Sequence, residues 1–379
     1  MSTDLESALR ELELVDHHVH APLAHAVDDA TLQSLITESD HSPAPGTSVF
    51  DSHLGVAIMR HCPTVLGLDA VTGPDDYLAV RRELPVPELT HRLLDASGVG
   101  EWLVDTGMGG DLLMSTRTME SATTGRVREI ARLETIAENL VASTTATGFM
   151  TAFADELSRL SPTVAGWKSV VAYRHGFDFT PARPSQSEVI VAAGRWMAAV
   201  EAGAAARLAD PVLLRMALYA ACDTGLPLQL HAGYGDRDLD LHRCNPALLT
   251  DWLRQIEPTG TDIMLLHCYP YHREAGYLAH VFPHVYLDVG LAINYTGAAS
   301  HRIIAESMEL APFTKVLYSS DAYGPPELHY LGALLWRAGT SRVLQSWVDH
   351  GGWTLDDALN TARLIGRDNA RRVYGGNDE

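Results

Sequence analysis

Leu14-Val15-Asp16-His17-His18-Val19-His20 is an apolar run that ends in two histidines, His18 and His20, spaced i, i+2. Side chains of a β-strand alternate faces, so this spacing puts both imidazoles on one side. Neutral imidazole is a common metal ligand, and two at one strand end make half of a metal site. The pair alone says little in a chain with 18 histidines. Three later runs repeat the design. Pro227-Leu228-Gln229-Leu230-His231 and Ile263-Met264-Leu265-Leu266-His267 end in His, and Val316-Leu317-Tyr318-Ser319-Ser320-Asp321 ends in Asp. Four strand-like runs, each with a ligand-type residue at its C-terminal end, predict a metal centre at the mouth of a barrel of parallel strands.

Composition bounds the rest. The chain has 379 residues, 46% hydrophobic and 20% charged, enough for a large core. A formal net charge of −20 argues against a nucleic-acid partner, which wants a basic patch. Cys62, Cys222, Cys244 and Cys268 form no C-x-x-C pair, so a cysteine-built zinc site is not expected and a reducing cytoplasm is the simplest location. The acidic N-terminus has no signal-peptide character, and no apolar run is long enough to cross a membrane.

Short apolar runs alternate with helical patterns, which predicts repeated βα units around a parallel sheet. The expected organisation is a single (β/α)8 TIM-like barrel over residues 1–379, with helical insertions at about 21–73 and 176–210. The first insertion is placed over the barrel mouth. A helix is expected over Asp75–Ala96 and another over Glu134–Leu160. Strands are expected at Trp102–Gly107, near the end of Gly125–Glu134, at Gly166–Arg174 and at His284–Gly290, besides the four metal-bearing runs. Asp210-Pro211 has helix-start chemistry and Gly225 helix-stop chemistry. Thr354 starts a late helix.

The constellation suggests a mechanism. A catalytic zinc takes N and O ligands and keeps one position open. His18, His20, His231 and Asp321 supply three imidazoles and one carboxylate. Water bound there has its pKa lowered towards neutrality and becomes a nucleophile. Asp321 can also accept that water's proton and pass it to a leaving group. His267 is expected to polarise a substrate oxygen or to ligate a second metal. One zinc ion is expected, with manganese or a second ion as alternatives. Asp16 shares the inward face by strand parity and reads either as a partner of the ligands or as a polar residue at the barrel floor.

Lys168 lies mid-strand in Gly-Trp-Lys-Ser-Val-Val, where an unpaired ammonium is costly. It is read as a catalytic residue, as a carbamylated metal bridge, as a carboxylate-binding ammonium, or as an outward side chain snorkelling between helices. Arg174, six residues on, shares its face by parity and suits a substrate carboxylate, because guanidinium binds carboxylates bidentately. The alternative for Arg174 is a surface ion pair.

At these residues the chain resembles the amidohydrolase superfamily, in the branch that holds the amidohydrolase-like half of fungal FluG proteins and of plant nodulin/glutamine-synthetase fusions. The resemblance rests on Val15-Asp-His-His-Val-His20, Arg132-Leu-Glu134, Trp167-Lys-Ser-Val-Val-Ala-Tyr-Arg174, Leu228-Gln-Leu-His-Ala-Gly-Tyr-Gly-Asp236, the long run Leu266-His-Cys-Tyr-Pro-Tyr-His-Arg-Glu-Ala-Gly-Tyr-Leu278, Val285-Tyr-Leu-Asp-Val-Gly290 and Leu317-Tyr-Ser-Ser-Asp-Ala322. It implies a metal-dependent barrel enzyme that hydrolyses an amide C–N bond of a small carboxylate-bearing molecule, such as a γ-glutamyl amide. Glu134 and Asp236 lie in these stretches and are assigned to substrate binding beside Arg174. Uronate-type isomerisation, decarboxylation and non-catalytic ligand binding are the alternatives. A homo-oligomer is compatible with this reading.

Overall fold

Seven short parallel strands form one sheet in strict chain order: β1 Leu14–Val19, β2 Val99–Asp105, β3 Arg126–Arg132, β4 Gly166–Ser169, β5 Leu228–Ala232, β6 Ile263–His267 and β7 Val285–Leu287. The computed structural model describes residues 4–39, 41, 43–70 and 72–375. The eighth run makes no ladder, but it closes the ring. Leu317 N–H donates to Leu287 O at 3.0 Å, and His17 N–H donates to Tyr318 O at 3.2 Å. The segment therefore sits between β7 and β1, and the chain is a TIM-type barrel. Helices cover the outside, so most strand residues are buried on both faces and read as continuous apolar runs.

Two clusters separate inside from outside. Val15, Leu103, Ile130, Met264, Leu266 and Leu317 line the barrel interior. Leu14, Val19, Trp102, Leu228, Leu230 and Leu265 pack outward against the helices. The floor is closed by the last helix, Asn369–Tyr374, whose Ala370 and Tyr374 join the inner cluster.

Several helix boundaries follow the expected chemistry. Asp210 accepts from Val212 N–H at the start of Pro211–Asp223, and Gly225 takes φ 77° just after that helix ends. Thr354 caps Leu355–Arg363 with a reciprocal Asp357 bond. Other expectations need correction. The helix expected over 75–96 is two, Pro74–Glu83 and Val86–Ser97, because Pro85 and Pro87 interrupt the first one's hydrogen bonding. Residues 134–160 likewise divide into Leu133–Leu140 and Phe149–Leu160. β4 stops at Ser169, and Val171–Arg174 is a single helical turn.

The 25-residue helix Pro326–His350 is tied to Pro74–Glu83 by a buried ion pair. Arg81 Nε donates to Glu327 Oε1 at 2.5 Å and Tyr77 Oη donates to the same oxygen at 2.9 Å. The Arg81 guanidinium holds the Glu327 carboxyl below its ordinary range, against the upward push of burial. Glu327→Leu should lower unfolding free energy by about 3–5 kcal/mol, because it leaves Arg81 buried and unpaired. Denaturant unfolding measures this. A carboxylate with a depressed pKa contributes fully above the ordinary glutamate value and loses that contribution as pH falls through its folded value. The gap between wild type and variant should therefore narrow on acidification.

Candidate metal centre

Between Asp16 and Val19, β1 carries one extra residue relative to β2, offsetting an extra residue in β2 between Val99 and Glu101. Asp16 pairs with Trp102 and Val19 with Val104, so three steps on β1 match two on β2. The slip breaks parity and turns the consecutive His17 and His18 both into the barrel. It also corrects the reading of Asp16. Its Oδ1 accepts from Ser320 N–H at 3.0 Å on the outer side, tying β1 to the eighth segment. Burial raises the Asp16 carboxyl to about 8.

Partners on the far side of each ring set the direction of His18 and His20. His18 Nδ1 lies 2.8 Å from Gln229 Oε1, and His20 Nδ1 lies 3.1 Å from Asp105 O. Both of those oxygens only accept, so both Nδ1 atoms carry the proton and both Nε2 atoms present lone pairs. Both Nε2 atoms lie beside one carboxylate: Asp321 Oδ1 is 3.0 Å from His18 Nε2 and 3.7 Å from His20 Nε2. Ligand atoms of His18, His20 and Asp321 all lie within 4.8 Å of one another. Burial holds His20 down at about 4, and His18, His231 and His267 well below the ordinary histidine value, so all four rings are neutral and each keeps a lone pair. Burial also pushes the Asp321 carboxyl up to about 7.

Several buried atoms here have no hydrogen-bond partner among the described residues: Asp321 Oδ1, His231 Nε2 and both ring nitrogens of His267. Orphaned buried polar atoms are costly, and four in one place fit a cation-binding centre. The backbone agrees. His267, Cys268 and Asp321 take φ of 65°, 54° and 48°, a region that costs a non-glycine residue about 1–3 kcal/mol. His267 N–H is held by Asp288 Oδ1 at 2.9 Å, and Asp321 N–H by His18 O at 3.1 Å.

The other expected site residues divide. His267 Nδ1 is 3.3 Å from Asp321 Oδ2, and its ring centroid is 5.2 Å from that of His18. The His231 ring lies beside that of His267, with centroids 4.5 Å apart and planes tilted by 53°, outside the tight group of three. Lys168 points inward and is 1% exposed, which removes the snorkelling alternative. Its Nζ lies 3.2 Å from His18 Nε2, and burial lowers its pKa to about 8. Arg174 lines the cavity from the helical turn, so the parity argument for it fails, and it makes an ion pair, the alternative reading of this residue. Its Nη1 lies 3.1 Å from Glu138 Oε1. Asp236 also lines the cavity. Glu134, expected at the substrate, does not. Its Oε1 accepts from Ser169 Oγ at 2.7 Å and Val170 N–H at 3.0 Å, which pins the end of β4.

The cavity above this centre measures about 250 Å³. Ser34, Thr37 and Glu38 enter its wall from the stretch after β1, and Arg207 from the stretch after residue 176. Sequence reasoning missed four supporting residues. Asp105 binds Arg132 through two contacts, 2.6 and 3.3 Å, while its carbonyl orients His20. Asp288 accepts from four groups around His267 and His17. Gln229 orients His18, and the Tyr173 ring lies against His231 with centroids 4.6 Å apart and planes tilted by 55°. Gln229 was findable, since it is a polar residue two before His231 on an otherwise apolar strand.

The amidohydrolase family model matches residues 169–376. Protein fluG of Emericella nidulans is 34% identical over 229 residues, which is 58% of this chain and 26% of that protein. The match thus spans about a quarter of that curated relative. A crystal structure from Lactobacillus casei, provisionally designated a metal-dependent hydrolase, is 27% identical with a TM-score of 0.87, covering 99% of this chain and 98% of its own. The uronate isomerase of Bacillus halodurans is similar in fold alone, at 13% identity and a TM-score of 0.67, over 99% of this chain and 96% of its own.

Proposed function

This chain belongs to the amidohydrolase family and is a metal-dependent hydrolase of that type, and from this we propose that it cleaves an amide C–N bond of a small carboxylate-bearing molecule such as a γ-glutamyl amide. The observation that carries the reading is the gathering of His18, His20 and Asp321 ligand atoms within 4.8 Å of one another beneath a cavity whose wall holds Arg174 and Arg207 as well as Glu38 and Asp236. We assign His18, His20 and Asp321 to the ion, with His231 completing the set, and zinc as the ion that suits imidazole and carboxylate ligands. A bound divalent ion polarises oxygen and makes water a nucleophile near neutral pH.

The side chains supply the rest. Asp321, with its carboxyl at the centre of the cluster, takes the proton of the attacking water and delivers it to the departing nitrogen. His267, 3.3 Å from Asp321, steadies the oxygen that gains charge. Lys168 supplies positive charge from below. Arg174, Arg207 and Asp236 all line the cavity; burial lowers the Arg174 pKa, and Arg207 is near enough to add to that shift. This mixture of charges suits a substrate with a carboxylate at one point and a cationic group at another, as in an amino-acid head.

A panel of γ-glutamyl amides, their esters, lactones and uronates tests the assignment. Turnover confined to amides supports it, and turnover confined to uronates contradicts it. Arg174→Met should raise KM about tenfold or more for a carboxylate substrate and little for the neutral analogue, since a charge-assisted bond is worth about 1.5–3 kcal/mol. Equal effects on both substrates rule out carboxylate binding by Arg174.

A further inference from the structure

The polar groups beneath His18 form one chain of hydrogen bonds in which every proton can be placed. Gln229 Nε2 lies 2.6 Å from His17 O, which only accepts, so this atom is the amide nitrogen and Gln229 cannot be flipped. Its second proton goes to Tyr374 Oη at 2.9 Å. Gln229 Oε1 is then the acceptor facing His18 Nδ1 at 2.8 Å. Tyr374 Oη, already accepting, has its own proton left to give, and His17 Nδ1 receives it at 3.1 Å. His17 Nε2 therefore bears a proton and donates to Asp288 Oδ2 at 3.0 Å. The other oxygen of Asp288 holds the His267 N–H at 2.9 Å and the Ser319 hydroxyl at 2.8 Å. Gln229, Asp288 and His17 are fully buried, and Tyr374 is 5% exposed.

We propose that Gln229, anchored by Tyr374 of the closing helix, is a positioning residue that fixes His18 in its Nδ1-protonated form and so commits Nε2 to the ion. Burial keeps the Tyr374 phenol protonated, which preserves the direction of the chain. The closing helix thus acts on the metal centre from the opposite end of the barrel. A side chain that orients a ligand in this way typically contributes 10–100-fold in metal affinity. The inference rests on the reading of His18 as a ligand.

The test measures zinc affinity of the full chain by chelator competition, with Tm recorded for each variant. Gln229→Leu should bind zinc about 10–100-fold more weakly, and Tyr374→Phe should weaken it in the same direction by less. Leu253→Ala, a buried change on the outer helix Thr250–Ile256, serves as the control for lost stability alone and should leave affinity unchanged. Histidine ¹⁵N spectra of the metal-free wild type should show His18 protonated at Nδ1. If His18→Asn binds zinc like wild type, the ligand reading itself fails. If His18→Asn loses zinc but Gln229→Leu does not, only the positioning role fails. Affinity that tracks Tm across all variants, or His18 protonated at Nε2, also overturns it. Should Gln229→Leu not fold, Tyr374→Phe and the wild-type spectrum decide.

Discussion

Asp321→Asn should lower kcat by about 10²–10⁴, the usual cost of losing a positioned acid–base group, while the fold stays intact. The asparagine is nearly isosteric, and the Asp321 backbone N–H remains bonded to His18 O. What disappears is the carboxylate that His18, His20 and His267 surround. Steady-state kinetics at saturating substrate, with metal content measured in parallel, separates the proton-transfer role from ligation. A variant that keeps its ion and loses rate supports the first, and one that loses both supports ligation as well. Near wild-type turnover would remove Asp321 from the mechanism.

The second large effect concerns the histidines. His18→Asn and His20→Asn should each lose both bound metal and turnover, because each contributes a lone pair that a side-chain or backbone oxygen behind the ring has already aimed. His267→Asn should keep its metal and lose rate. Metal analysis after dialysis distinguishes the cases. A stoichiometric loss of metal from His267→Asn would make His267 a ligand and the centre binuclear.

The barrel was legible in the sequence because four apolar runs end in ligand-type residues, and strand ends in such a barrel all face one mouth. Strand parity served less well. It placed His18 and His20 together correctly, but the extra residue in β1 turned His17 inward and Asp16 outward, and a register slip leaves no composition signature. Parity failed again for Arg174, since β4 ends at Ser169 and a helical turn carries the chain onward. Glu134 drew attention through its sequence neighbourhood, yet its carboxylate serves the backbone of β4. The groups that aim the ligands were harder still to see. Asp105 orients His20 through a main-chain carbonyl, which no side-chain pattern reveals. Tyr374 is 357 residues from His17, and only the closed barrel brings them together. The prolines at 85 and 87 were visible and could have divided the 75–96 helix.

The claim that these residues form a metal centre is tested most directly by a crystal structure of the zinc-loaded protein with anomalous scattering recorded at the zinc edge. The account predicts one strong anomalous peak among His18, His20 and Asp321, at the mouth end of the barrel. A fully loaded protein whose peak lies elsewhere, or whose three residues stay unliganded, contradicts it.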